Sequence, residues 1–63
     1  MKETINLFGK EINYSYEYIN EMEIKITYNY QDGEYSFVCK ANSRQTYKDE
    51  IEENMKVMRL VLG

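Results

Sequence analysis

The residues in this chain with types and spacing suited to chemistry are a few charges and a set of tyrosines. Where polarity alternates along the first two-thirds, Glu17, Glu23, Lys25 and Lys40 fall on the polar side. The strand register derived below sets Glu17 opposite Glu23, and Lys25 opposite Lys40. Like charges facing each other across a sheet are mildly destabilising, so each pair calls for an explanation. Two facing carboxylates suit a hard cation such as Mg²⁺ or Ca²⁺; the plainer reading is two solvated edge charges relieved by Lys2 and Lys25. The lysines could hold a phosphate or a partner's carboxylate, or simply be screened by salt. Six of the seven tyrosines, Tyr14, Tyr16, Tyr18, Tyr28, Tyr30 and Tyr35, share the opposite side. Tyr14 and Tyr28 read as core. Tyr16, Tyr18, Tyr30 and Tyr35 read as rim, where tyrosine serves protein interfaces or stacks on single-stranded bases. Cys39, beside Ile26, reads as a small buried hydrophobe rather than a nucleophile.

Composition narrows this chemistry. The 63 residues contain no histidine and one cysteine. That excludes Ser-His-Asp and Cys-His nucleophile systems, a nitrogen-and-sulfur zinc site and an ordinary neutral-pH base. An enzyme would depend on carboxylates, Lys, Tyr or a bound metal ion, and the enzymatic possibility that remains is metal-dependent DNA nicking. A binding role is the main expectation, with no metal or cofactor assigned. The net charge is −3, the opposite sign to most phosphate-binding proteins. All of it belongs to residues 1–42, with four lysines and seven acids, because residues 43–63 hold four of each sign.

The length allows a single domain, 1–63, of marginal stability. Small domains rely on a disulfide, a metal or a partner chain. With one cysteine and no histidine, a homo-oligomer, dimer or higher, is the expectation. No apolar run reaches the roughly 20 residues of a membrane span, and no secretory leader is read, so a cytoplasmic protein without membrane contact is expected.

The elements that position these residues follow from two periodicities. Alternation predicts strands over 4–8, 11–18, 22–30 and 34–41. Face matching predicts a two-residue Gly9-Lys10 turn pairing Leu7 with Ile12, and an Asp32-Gly33 turn pairing Tyr30 with Tyr35. Between the second and third strands, matching requires an odd loop, Ile19-Asn20-Glu21, pairing Tyr18 with Met22. A spacing near 3.6 predicts a helix over 43–62, capped by Asn42, Ser43 or Thr46, with an apolar stripe Tyr47, Ile51, Met55, Met58, Leu62. Val57, Leu60 and Val61 lie off that stripe and are expected to form an oligomer interface. The fold class is α+β: a four-stranded antiparallel meander with one long C-terminal helix packed on one face.

Four antiparallel strands followed by one long helix resemble the positive-coactivator and Whirly-type fold. The resemblance implies dimerisation through helices and a sheet surface gripping single-stranded or supercoiled DNA. The acidic strands depart from that family's basic surfaces. Size, acidity and Asn/Tyr/Glu-rich composition also resemble small phage and mobile-element inhibitors of host defence, including anti-CRISPR inhibitors of Cas9. That resemblance implies an acidic binding protein occupying the basic groove of a nucleic-acid-handling host protein such as Cas9. On either reading the binding surface is expected at Glu17, Glu23, Lys25, Lys40, Tyr16 and Tyr18.

Overall fold

Alternating polarity carries the chain through four strands: β1 (Lys2–Leu7), β2 (Lys10–Tyr18), β3 (Glu23–Tyr30) and β4 (Gly33–Lys40). They form one antiparallel sheet in the order β1-β2-β3-β4, and α1 (Lys48–Val57) follows, giving the expected α+β arrangement. The computed structural model describes residues 2–41 and 47–61.

The strand faces are as the sequence predicts, but all three registers differ by two residues. Leu7 pairs with Lys10 and Ile5 with Ile12, so the first turn is Phe8-Gly9, with φ of 53° and 75°. Tyr30 pairs with Gly33 and Tyr28 with Tyr35, so the last turn is Gln31-Asp32, with φ of 48° and 62°. Positive φ at both central residues is the type I′ geometry, whose twist matches that of the flanking strands. Gly33 sits just after its turn, where Tyr35 covers it: a Cβ there would meet the Tyr35 hydroxyl at 2.7 Å. Tyr18 pairs with Ile24, not Met22. The connection is odd, as face matching requires, and Asn20 holds it: its Oδ1 accepts the N–H groups of Met22 (2.8 Å) and Glu23 (2.9 Å).

A slip of two residues leaves every side chain on its face, so alternation cannot choose among such registers. Specific contacts choose. Tyr28 stacks on Tyr35 (centroids 5.6 Å apart) and meets Phe37 edge-on at 6.1 Å. Lys10 Nζ lies 5.5 Å from the centre of the Tyr30 ring.

The core lies between the inner sheet face and α1. The sheet contributes Ile5, Leu7, Ile12, Tyr14, Ile24, Ile26, Tyr28 and Tyr30; Tyr47, Ile51 and Met55, four residues apart, come from one side of the helical segment. Burying an aliphatic side chain of this size contributes about 2 kcal/mol, and Ile51 and Met55 are fully buried. Asp49 and Glu50 occupy the first turn of α1 and Lys56 the last, as the helix dipole favours.

α1 is shorter than the predicted 43–62. It ends because Arg59 turns into the left-handed region (φ 59°). The Leu60 N–H then donates to the Met55 carbonyl (2.8 Å) and the Arg59 N–H to that of Lys56 (3.0 Å). These two bonds make a Schellman cap, with arginine where glycine is usual. Past the cap the helical period no longer assigns faces. Met58 is exposed, while Leu60 and Val61 fold back, half-buried, against the core. The proposed caps Asn42, Ser43 and Thr46, and the stripe residue Leu62, lie outside the described residues. No described helix is long and apolar enough to cross a membrane.

Candidate functional site

The register redraws the polar outer face. Glu17 stands opposite Lys25, and Glu23 opposite Lys40. Neither like-charge pair forms: the two-residue shift places an opposite charge across from each member. The Glu23 carboxylate also accepts a hydrogen bond from the Asn20 side-chain amide at 3.0 Å. The rest of this face is uncharged or mixed. One row runs Lys2, Ser15, Thr27, Ser36; the next runs Thr4, Asn13, Asn29, Glu34, with the Thr4 hydroxyl donating to Asn13 Oδ1 at 2.9 Å. Among the described residues no group of three or more Asp, Glu, Cys or His is placed to hold a metal ion.

The tyrosines divide between core and rim. Tyr14 is buried, and its hydroxyl donates to Glu3 Oε2 at 2.6 Å while the Tyr47 N–H approaches it at 3.5 Å. Its pKa is pushed up to about 12, first by burial and then by the hydrogen bond to the Glu3 carboxylate. Tyr28 is fully buried, donates to Asn54 Oδ1 at 2.7 Å, and is likewise pushed up to about 12, first by burial and then by Tyr35. Tyr16 packs on Tyr47 with ring centroids 5.3 Å apart. Of the four tyrosines expected at the rim, Tyr30 is buried, with Lys10 Nζ over its ring. Tyr18 is 62% exposed and stands with exposed Ile19 and Met22 at the β2–β3 connection.

A second feature escapes sequence reasoning. β4 is an edge strand, and its inner residues Tyr35, Phe37 and Cys39 are only half-covered. Between β4 and α1 runs an open groove of ≈ 360 Å³. Phe37, Cys39 and Val57 line its apolar part, and Asp49, Glu50 and Glu53 form an acidic wall along the helix. Glu50 Oε2 is buried there with no hydrogen-bond partner among the described residues. Burial, and then the Glu50 charge, push the Cys39 thiol upward, which keeps it protonated and unreactive. Of the three residues expected at an oligomer interface, Leu60 and Val61 pack on the core, and Val57, 67% exposed, borders this groove. The i, i+4 acid spacing of Asp49 and Glu53 was a signal in the sequence. Its position over β4 was not, because it depends on where the helix crosses the sheet.

Comparison with protein-family models, with curated proteins and with solved structures finds no match for this chain. The chemistry of these surfaces therefore carries the functional argument.

Proposed function

We propose that this chain is a small acidic binding protein that docks on a basic surface of a nucleic-acid-handling protein and blocks nucleic acid from it. This is the action expected of an anti-CRISPR-like inhibitor from a mobile element. The observation that carries the reading is the acidic wall beside an apolar floor, with a buried Glu50 oxygen that has no donor among the described residues. A buried acceptor without a partner costs on the order of 1–3 kcal/mol, and a partner's Lys or Arg set against the exposed Asp49 and Glu53 carboxylates would offset the negative charge gathered there. Charge complementarity of this kind speeds encounter and selects partners. The outer sheet face supports a DNA-acting role less well, because Lys25 and Lys40 each stand opposite a glutamate instead of forming a joint phosphate cradle.

The test is plasmid cleavage by a Cas9-type effector titrated with the protein and with an Asp49→Lys/Glu53→Lys variant. The expected result is loss of cleavage with the parent chain and at least tenfold weaker inhibition by the variant. Cleavage unaffected by the parent chain removes Cas9-type effectors as the target. Equal inhibition by both proteins overturns the groove as the docking surface.

A further inference from the structure

We propose that the free edge of β4 pairs with β4 of a second copy, antiparallel, with Phe37 on the two-fold axis. This inference does not depend on the proposed function, since its readout is mass.

Three observations carry it. The first is hydrogen-bond parity. The two-residue turn makes Tyr30 and Gly33 a hydrogen-bonded pair, so Tyr35, Phe37 and Cys39 also direct their main-chain groups toward β3. The Ala41 N–H donates to the Met22 carbonyl at 2.8 Å, which fits the same alternation one pair beyond the strand. Glu34, Ser36, Val38 and Lys40 therefore direct their N–H and C=O groups outward, an edge that no described strand pairs with and that another strand can use.

The second is charge. With Phe37 opposite its own copy, Ser36 bonds to Val38 of the second copy, and Glu34 stands opposite its Lys40. The two-fold repeats both contacts, so each end of the junction has one opposite-charge pair. The same register lets every outward-facing N–H and C=O of these four residues find a partner.

The third is apolar surface. Tyr35, Phe37 and Cys39 are half-covered in one chain, and this pairing places Tyr35 beside Cys39 of the second copy and Phe37 beside itself. The other free edge shares the first of these features but not the other two. Outward-facing Lys2, Thr4 and Asn6 of β1 offer no opposite charges to a second copy, and inner Ile5 and Leu7 are already buried. The junction yields a continuous eight-stranded sheet, twice the strands of one chain. It also brings the two β4–α1 grooves side by side, so that their acidic walls flank one apolar floor.

Light scattering coupled to size exclusion tests this on the full chain at micromolar to near-millimolar concentration. The expected mass is twice the 7.6 kDa of one chain. Ser36→Pro removes an outward N–H that bonds nothing among the described residues, a substitution edge strands accept, and is expected to give a monomer with unchanged circular dichroism. Glu34→Lys sets like charges opposite each other at both ends and is expected to weaken the dimer by about tenfold or more. Glu34→Lys/Lys40→Glu, made together with Glu23→Lys so that residue 40 keeps an opposite charge across from it in β3, restores opposite charges across the junction and is expected to recover the mass. A monomeric parent chain overturns the proposal, and so does a dimer that persists in both Ser36→Pro and Glu34→Lys. A dimer broken by Glu34→Lys but not recovered by the charge-swapped variant overturns the register.

Discussion

Two of the buried tyrosines, Tyr14 and Tyr28, make stability fall steeply in alkali, by an amount that can be worked out. Tyr14 and Tyr28 each ionise near 12 in the folded chain, against 10 for a free tyrosine. Both acids are harder to ionise when folded. Above pH 10 the unfolded chain therefore loses these protons first, and unfolding is favoured. The stabilisation is fully present below pH 10 and is lost as pH rises toward 12. At pH 11 each tyrosine has lost about 1.4 kcal/mol relative to pH 9, and the pair about 3 kcal/mol. A chain of this length has a net stability of roughly 3–9 kcal/mol, so the loss is a large share of the whole. Urea denaturation followed by circular dichroism at pH 9 and pH 11 measures it. Tyr14→Phe and Tyr28→Phe are each expected to lower stability at pH 9 by about 1 kcal/mol, through the lost hydroxyl bond, and to halve the drop between the two pH values. A parent chain equally stable at both values refutes the reasoning. So does a drop that is undiminished when both tyrosines are replaced.

Two left-handed residues supply further tests. Phe8→Asn creates an Asn-Gly type I′ turn in place of a bulky aromatic at φ 53°, and is expected to stabilise the chain by about 1 kcal/mol, read as a higher urea midpoint. Arg59→Gly relieves the Schellman cap at φ 59° and is expected to add about 1 kcal/mol in the same assay. Loss of stability in either variant would mean that the side chain makes a contact outweighing its backbone strain.

These turns also show what the sequence could and could not convey. Alternation in β1 to β4 correctly assigned Ile12, Tyr14, Ile24, Ile26 and Tyr28 to the inner face, and the 4,4 spacing of Tyr47, Ile51 and Met55 assigned the helix face. Both are periodicity signals, which burial enforces. Register was not legible, because Asp32-Gly33 and Gly9-Lys10 looked like better turns than Gln31-Asp32 and Phe8-Gly9. The choice depended on ring packing around Tyr28 and Tyr35 and on Lys10 over Tyr30. That shift of two residues dissolved the apparent Glu17/Glu23 and Lys25/Lys40 pairs. The end of α1 was hidden too, since nothing in its apolar pattern marks Arg59 as a cap. With the helix shortened, Leu60 and Val61 turned onto the core, and the open apolar surface moved to β4.

On the proposed function, the chain recognises a basic protein surface and not nucleic acid. The most direct measurement is a gel of the purified chain with supercoiled plasmid and with a single-stranded oligonucleotide, with and without Mg²⁺, at low salt, where phosphate contacts are strongest. Unshifted bands and intact plasmid are expected in every lane. A shifted band, or Mg²⁺-dependent nicking, would contradict that reading and return the function to the outer sheet face and Lys25 and Lys40.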